Sequence, residues 1–371
     1  MNTSNIFNAA NKLQSYRVSI NDFVLEEETI ISAEISYSRS SVRLDGQLIF
    51  KDMSDINSQI DWKESEVIIS YTDIFSGNVE KTFRVMGIAE DFTNKKEKIV
   101  TLKILDKFSY IMSTSFLQKG FSDTVINAFK SYVSYLGLSK FVDDIPSGGT
   151  PYEFVVPSYT DNLSFFEAEL SKSGLQIFQT KKGVAIKHFD ALIPSSLEEN
   201  DPDFDFTNQT DNQLYKNKIY DIIPSHTIRS NVPSKRLCIA YDPETKTTKR
   251  KTANNPSIFA LNEVQANLQE NNGYEIVRQQ HLNFDQHKLE MLENFMSVNV
   301  MMIVVNGYEK NDVNQIYVLD LYGNKGYVDG QSNGNVLLNG KWVSKKVTDK
   351  LVGDSLVQKI ELCRSDFPGI E

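Results

Sequence analysis

The sequence has few of the residues on which metal and redox chemistry depend. Its 371 residues include only two cysteines, Cys238 and Cys363, and four histidines. Two thiols so far apart in the chain make neither a disulfide framework nor a zinc cluster, so we expect both to be buried and inert. The spacing of His281 and His287 does not place both on one helical face, which favours surface or capping roles over metal binding.

Long hydrophobic runs are also missing. The longest strongly apolar run, Val298–Val305, is too short to cross a bilayer, which takes about 20 helical residues. The N-terminal segment has no basic start followed by an apolar core, so no signal peptide is predicted. We therefore expect a protein that is made in the cytoplasm, folds under reducing conditions and has no membrane anchor.

No catalytic signature is present. The sequence contains no G-x-S-x-G, P-loop, dinucleotide-binding glycine pattern or H-E-x-x-H. Asp201, Asp203 and Asp205 resemble the start of a calcium loop, but Phe206 and Asn212 stand where that loop needs glycine and glutamate. The sequence accordingly predicts no enzyme activity, no cofactor and no metal site.

Positive charge is scarce and local. There are 49 acidic against 39 basic side chains, a net charge of −10, which argues against a general nucleic-acid or anionic-membrane binder. One basic cluster lies within 242–256, where no apolar period runs, and we predict a long exposed loop there. Its basic residues Lys246, Lys249, Arg250 and Lys251 are the candidate partner-binding residues, and no aromatic side chain lies among them for base stacking.

What the sequence does contain is β-structure with α+β insertions. Residues 1–112 hold short runs in which apolar and polar residues alternate, typical of a small barrel. Residues 113–194 carry two amphipathic helices and a hairpin, and predict a small α+β domain. Residues 195–371 return to strands, interrupted by the loop near 242–256 and a helix near 283–296. We thus predict two tandem β-barrel domains flanking a small α+β domain.

The two β regions end in similar hairpins. Residues 83–108 and 342–367 are each predicted to form a long strand, a turn and a returning strand, and the offset between the aligned residues changes by one near the turn. Two unrelated amphipathic hairpins of similar length can also align this well, but a true repeat would make the two β domains related. The aligned core pairs are Phe83 with Trp342, Ile88 with Val347, Phe92 with Leu351, Leu102 with Ile360, Ile104 with Leu362 and Phe108 with Phe367.

The order of these parts is similar to that of a known family. The final domain has Gly340, Trp342 and Val343 followed by a turn and the returning strand 358–367. In the middle unit, 154–189, a helix leads through a glycine into a hairpin, and 233–260 is rich in lysine, proline and asparagine. Together they resemble the central baseplate hub of contractile phage tails and the N-terminal region of VgrG spike proteins of type VI secretion.

That resemblance implies a structural virion protein. Three copies with two related tail-tube-like barrels each would join a six-fold tail tube to a three-fold spike. The implied partners are further copies of the chain, a central spike protein, the tail tube or its initiator, and other baseplate proteins. DNA would pass through an acidic channel without specific binding. Because the sequence ends at Glu371 after the second barrel, we expect the spike to be a separate protein. We expect the protein in the baseplate of the virion, after assembly in the host bacterial cytoplasm.

Three alternatives remain open at this level. A tail-tip protein of a non-contractile phage shares the expected fold. A cell-wall carbohydrate-active enzyme would use paired carboxylates, which the sequence alone cannot nominate among 49 acidic residues. A binding module would act through the basic cluster at 246–251.

Overall fold

The computed structural model describes most of the chain. The described residues are 11–53, 55–73, 76–94, 97–115, 119–149, 152–156, 161–192, 204–205, 219–226, 235–242, 245–254, 274–279, 284–295, 299–319, 327–328, 331–332 and 340–364.

Strands dominate these residues, as the sequence predicts. The first twelve are Asn11–Lys12 (β1), Tyr16–Ile20 (β2), Phe23–Leu25 (β3), Ile30–Ser38 (β4), Ser41–Lys51 (β5), Glu66–Asp73 (β6), Gly77–Asn94 (β7), Glu97–Asp106 (β8), Lys119–Asp123 (β9), Tyr152–Val156 (β10), Leu175–Gln179 (β11) and Val184–His188 (β12). The others are Phe204–Asp205 (β13), Ile219–His226 (β14), Lys235–Asp242 (β15), Thr247–Asn254 (β16), Tyr274–Gln279 (β17), Asn299–Asn306 (β18), Ile316–Leu319 (β19), Tyr327–Val328 (β20), Gln331–Ser332 (β21), Gly340–Val352 (β22) and Ser355–Arg364 (β23).

Three α-helices of the described residues begin at side-chain caps. Asp106, Thr124 and Asp161 accept hydrogen bonds from backbone N–H groups in the first turns of their helices, which satisfies donors that a helix start leaves open. The sequence predicts Ser122 as the cap of the second of these, but Ser122 lies on β9 opposite Glu153. The α-helices are Ile56–Gln59 (α1), Lys107–Thr114 (α2), Val125–Tyr135 (α3), Asn162–Lys172 (α4) and Phe284–Phe295 (α5).

One large sheet connects the beginning and the end of the chain. Its order over the described residues is β14-β18-β23-β22-β4-β5-β8-β7-β6-β2-β3, with β19 also on β22. Neighbouring strands along this path run antiparallel. Within it, two five-stranded units have the same connectivity: β4-β5-β8-β7-β6, the first unit, and β14-β18-β23-β22-β19, the second unit.

The two units share their irregularities as well as their order. In the first unit the register of the β7–β8 hairpin shifts between Val85 and Gly87, and in the second unit the β22–β23 hairpin shifts between Ser344 and Lys346. Under the sequence alignment these are the same position. A one-residue bulge at matching places in two hairpins is a specific feature, because it re-aims the strand.

A second pair of bulges matches in the same way. The β4–β5 register shifts between Ile30 and Ser32, and the β14–β18 register shifts between Ile219 and Asp221. Tracing the ladders outward from the aligned hairpins places Ile219 at the position of Ile30. The likeness between the units therefore extends across four strands each, which two unrelated hairpins would not produce.

Two hydrophobic clusters hold the described residues together. The larger one contains core residues of both units, including Leu48, Leu102, Ile303 and Ile360. The smaller one is built by α2, α3, α4 and the β11–β12 hairpin, with Phe166 against Phe129 at 5.4 Å between ring centroids.

The structure corrects two sequence expectations. Residues 242–256 are predicted as a loop, yet Thr247–Asn254 form β16, paired along its length with β15. The sequence does not predict β16 because its residues show no alternation of apolar and polar side chains. The apolar side chains of this strand pair come from β15. Phe108, predicted in a hairpin, lies in α2 and packs in the smaller cluster, so α2 crosses the predicted boundary at residue 112.

Gly174 and Gly137 offer a matched test of packing at helix ends. Both follow helices with φ near +70°, a conformation that disfavours any Cβ. A Cβ on Gly174 would lie 2.8 Å from Cβ of Asp285 on α5, whereas nothing lies within 4 Å of one on Gly137. We expect Gly137→Ala to lower the free energy of unfolding by about 1 kcal/mol and Gly174→Ala by about 1–3 kcal/mol more. Denaturant unfolding measures both, and equal losses would show that α5 does not pack against Gly174.

Candidate functional site

The junction of the two units is a strand pair. The second half of β22 pairs with β4 in antiparallel register, with Val347 opposite Tyr37 and Thr348 opposite Ser36. The Ser36 and Thr348 hydroxyl oxygens lie 3.0 Å apart. This ladder makes the sheet continuous from one unit to the other.

Beside this ladder lies a buried ion cluster of two lysines and two carboxylates. Lys81 Nζ is 3.0 Å from Glu309 Oε1 and 3.4 Å from Asp349 Oδ2. Lys181 Nζ is 2.9 Å from Asp349 Oδ1 and 3.6 Å from Glu309 Oε2. The charges balance, as buried charges must if they are to remain ionised.

Each part of the fold contributes to the ion cluster. Lys81 comes from β7 of the first unit, Asp349 from β22 of the second, and Lys181 from the turn between β11 and β12. Neutral groups complete the coordination: Tyr71 donates to Glu309 at 2.5 Å and Gln358 donates to Asp349 at 2.6 Å. The ion cluster therefore fixes the α+β unit against both β units at one point.

The electrostatics keep Asp349 and Lys81 charged. Burial raises the pKa of Asp349, but Lys181 and Lys81 outweigh it, so the net pKa lies below the usual value. Burial lowers the pKa of Lys81, and the surrounding Tyr37, Tyr71, Glu309 and Asp349 outweigh that effect and raise it. Both groups are therefore held in their ionised forms near neutral pH.

Asp312 is the titratable group next to the ion cluster. Its carboxylate accepts from the backbone N–H of Lys181 at 2.8 Å and from that of Val313 at 2.8 Å. Burial raises its pKa to about 6, against the lowering effect of Lys181 and these hydrogen bonds.

Another buried cation follows the C-terminal end of β4. Arg39 is fully buried, donates from its backbone N–H to Lys345 O at the β22 bulge, and pairs with Glu293 of α5 at 2.8 Å. It fastens α5 to the turn between β4 and β5. In the second unit, the shared bulge on β22 is therefore held by the hydrogen bond from Arg39 to Lys345.

The carboxylates that would suit the enzyme alternative gather at one groove of about 740 Å³. It lies between α4, β11 and α5, with Glu167, Glu290 and Glu293 among its lining residues. All three are engaged by the protein: Arg39 pairs with Glu293, the Val42 N–H donates to Glu167, and Gln286 donates to Glu290. Burial raises the pKa of Glu167. The bonds of Glu293 and Glu167 join different elements, and the bond of Glu290 lies within α5.

Most of the predicted hairpin-core residues that the structure describes lie in the interior. Ile88 is the exception, with 38% of its surface exposed. Phe92 lies on β7 with its side chain outside the described residues, and Phe367 lies outside them altogether. The buried members are Phe83, Leu102, Ile104, Phe108, Trp342, Val347, Leu351, Ile360 and Leu362.

The basic residues form one hairpin rather than a loop. Lys246 occupies the turn with φ of 52°, and Lys249, Arg250 and Lys251 lie on β16 opposite Ala240, Ile239 and Cys238. All four basic residues are exposed. Alternation along the strand puts Lys249 and Lys251 on one face and Arg250 on the other.

Metal and thiol chemistry find no support in the described residues. No group of three or more histidine, cysteine, aspartate or glutamate side chains that could hold a metal occurs there. Both cysteines are buried, and burial raises the pKa of the Cys363 thiol to about 11. In the same residues no helix has the length and apolar character needed to cross a membrane.

The comparisons with known proteins identify the fold. No family model and no curated protein sequence matches the chain significantly. Among solved structures, a tail protein from Neisseria meningitidis matches with a TM-score of 0.60 at 11% identity, covering 95% of this chain and 98% of that one. The 43 kDa tail protein of prophage MuSo2 from Shewanella oneidensis matches with a TM-score of 0.60 at 9% identity, over 95% and 98%.

Type VI secretion proteins match as well. The Francisella PdpA–VgrG complex matches over 100% of this chain and 56% of that one, with a TM-score of 0.53 at 12% identity. An Escherichia coli type VI component, described as structurally similar to the T4 tail proteins gp27 and gp5, matches with a TM-score of 0.51 at 9% identity, over 95% and 79%. At these identities the likeness shows the fold, which is the one phage tail and VgrG proteins share.

We expect the ion cluster to contribute to the free energy of unfolding only when all four charged side chains are present. Asp349→Asn leaves two buried lysines with one carboxylate, and we expect the free energy of unfolding to fall by about 3–5 kcal/mol. The double variant Asp349→Leu with Lys181→Met removes one charge of each sign and should lose less than the sum of the single variants. Lys98→Met, which removes the partly exposed ion pair of Lys98, is the control and should cost much less. Additive losses in the double variant would contradict the coupling.

Asp312 should make stability fall with rising pH over a narrow window. Its pKa in the folded chain, about 6, lies above the usual value of 3.8. The folded state therefore binds more protons than the unfolded state between those values, and its contribution is lost as pH rises through about 6. Relative to the Asp312→Asn variant, the native chain should lose about 2 kcal/mol of unfolding free energy between pH 4 and 7. The control is Asp45→Asn at an exposed position, whose plot of unfolding free energy against pH should have the same shape as that of the native chain. If the plot for Asp312→Asn also had that shape, the prediction would be wrong.

Proposed function

We propose that this protein is a structural hub of a phage tail or a phage-like particle. In it, three copies form a ring that adapts a six-fold tail tube to a three-fold central spike. The observation that carries the proposal is the pair of five-stranded units with one strand order and two shared bulges. A single chain thereby holds two similar units, as a symmetry adapter requires.

The arrangement of the units supports a ring. They are joined edge to edge through β22 and β4, so they lie side by side in one continuous sheet. Three chains around a three-fold axis would present six similar units on one face of the ring. The other face would have only the three-fold symmetry of the chains. We propose that each unit closes toward a barrel of the tail-tube type within this ring, and that the α+β unit lies outside the sheet as a separate domain.

Partners follow from the same geometry. A tail tube or its initiator would contact the six-unit face, and a spike protein would occupy the three-fold face, with other baseplate proteins at the periphery. The VgrG fold of the matched spike complexes supports a spike-side partner. We propose that the net charge of −10 lets DNA pass through the channel without binding. The virion baseplate is then its location, with assembly in the host cytoplasm.

The other readings have less support. The tail-tip reading shares the fold and differs only in the kind of tail. The enzyme reading would need free carboxylates, and those of the groove at α4 and α5 are bonded within the protein. The hub is therefore a non-enzymatic component in this proposal.

Absolute mass in solution tests the hub. Light scattering after size exclusion, with the chain alone and with a co-expressed spike protein, should give three copies of the chain per particle in at least one condition. End-on electron micrographs of that species should show six lobes. A chain that stays monomeric in both conditions, at concentrations up to those of tail assembly, would refute the hub.

A further inference from the structure

Comparison of the two units shows two strand edges that, within the described part of the chain, lack the neighbour that their counterparts have. Residues 346–351 of β22 are covered by β4, which belongs to the other unit. The counterpart of this segment in the first unit begins at Gly87 of β7, just past the matching bulge. Among the described residues no strand pairs with that side of β7 from Gly87 to Glu90, since β6 ends its pairing at Arg84.

The second such edge belongs to β14. β14 in the second unit is equivalent to β4 in the first. Each is an outermost strand of its unit, next to β18 or β5, and each has a bulge at the matching position. The described part of β14 pairs with β18 on one side only. Pro224 stands at the position of Ile35, and proline within a strand is typical of an edge.

The side chains at the open β7 edge support this reading. Val347 is fully buried at the junction with β4, while its counterpart Ile88 is 38% exposed and the adjacent bulge residue Met86 is 53% exposed. Two large apolar side chains next to unpaired backbone make an unfavourable surface in an isolated chain. A strand laid along this edge, as β4 lies along β22, would bury Ile88.

We propose that β14 of a second copy of this chain pairs antiparallel with β7, so that the contact between copies repeats the junction within each copy. Transferring the β22–β4 register gives Ile88 opposite His226, Ala89 opposite Ser225 and Glu90 opposite Pro224. Each copy then offers one β7 edge and one β14 edge, which is a head-to-tail contact that must close into a ring or grow without limit. The pairing deepens the hub proposed above, which needs three copies to close.

Engineered disulfides test the register directly. The Ser36 and Thr348 hydroxyls, 3.0 Å apart, mark the equivalent pair within the chain. Ala89→Cys with Ser225→Cys in one chain should therefore give covalent trimers on mild oxidation, because opposed residues of antiparallel strands meet disulfide spacing. Non-reducing gels report the product. The native cysteines are buried and do not compete.

Three controls make the outcome specific. Ala89→Cys with Ile223→Cys is two residues out of register and should give no trimers. Ser36→Cys with Thr348→Cys should form a bond within one chain, without a gain in mass. Either single variant, Ala89→Cys or Ser225→Cys, should form no covalent trimer. Equal cross-linking in and out of register would overturn the proposal.

A charge on the same edge gives an independent measurement. Ile88→Asp should reduce the trimer fraction at least tenfold while leaving the unfolding of the monomer unchanged, because Ile88 is already exposed there. Met53→Asp is the matched control, since Met53 is 76% exposed and lies off the edge. A native chain that is trimeric by light scattering but gives no in-register cross-link would refute the pairing and leave the hub intact. Cross-linked trimers that bind neither spike nor tube would refute the hub and leave the pairing intact.

Discussion

The fold depends on one strand ladder, the pairing of β4 with the second half of β22. This ladder turns two separate β units into one sheet, and it lies next to the ion cluster of Lys81, Lys181, Glu309 and Asp349. Backbone hydrogen bonds give the ladder its stability but little choice of partner, since any edge can pair with any other. The ion cluster supplies that choice, because its four charges are satisfied only when both β units and the β11–β12 turn are in place.

Repetition and asymmetry have separate roles in this chain. The two units share order and bulges, which set the directions of their strands, but their edges are treated differently. The β22–β4 junction is closed within the chain and lies beside buried charges. Its counterpart on β7, flanked by Met86 and Ile88, has no paired strand among the residues that the structure describes. A permanent contact tolerates the desolvation of ions because it forms once, whereas a contact between copies gains more from apolar area that is exposed beforehand.

The sequence predicts the β class, the α+β insertion and the hairpin likeness, because alternation and helical periodicity are local signals. It misses the strand at 247–254, whose residues are polar on both faces and whose order comes from β15. It also places Ile88 in the core, because the pattern of alternation is the same on a sealed edge and on an open one. The ion cluster could not be predicted: Lys81 and Asp349 each look like ordinary solvent-facing strand residues, and only the β4–β22 ladder brings them together.

The distance along the chain between the partners of that ladder affects biosynthesis. Ser36 and Thr348 are 312 residues apart, and β1 likewise pairs with β23, a strand made much later. While the ribosome makes the middle of the chain, β4 has its β5 neighbour on one side and nothing on the other. Contacts of such high sequence separation form late, and a strand edge left open during synthesis is prone to pair with other nascent chains. The first unit is therefore expected to depend on chaperones until residues 346–351 of β22, which complete the ladder, have emerged.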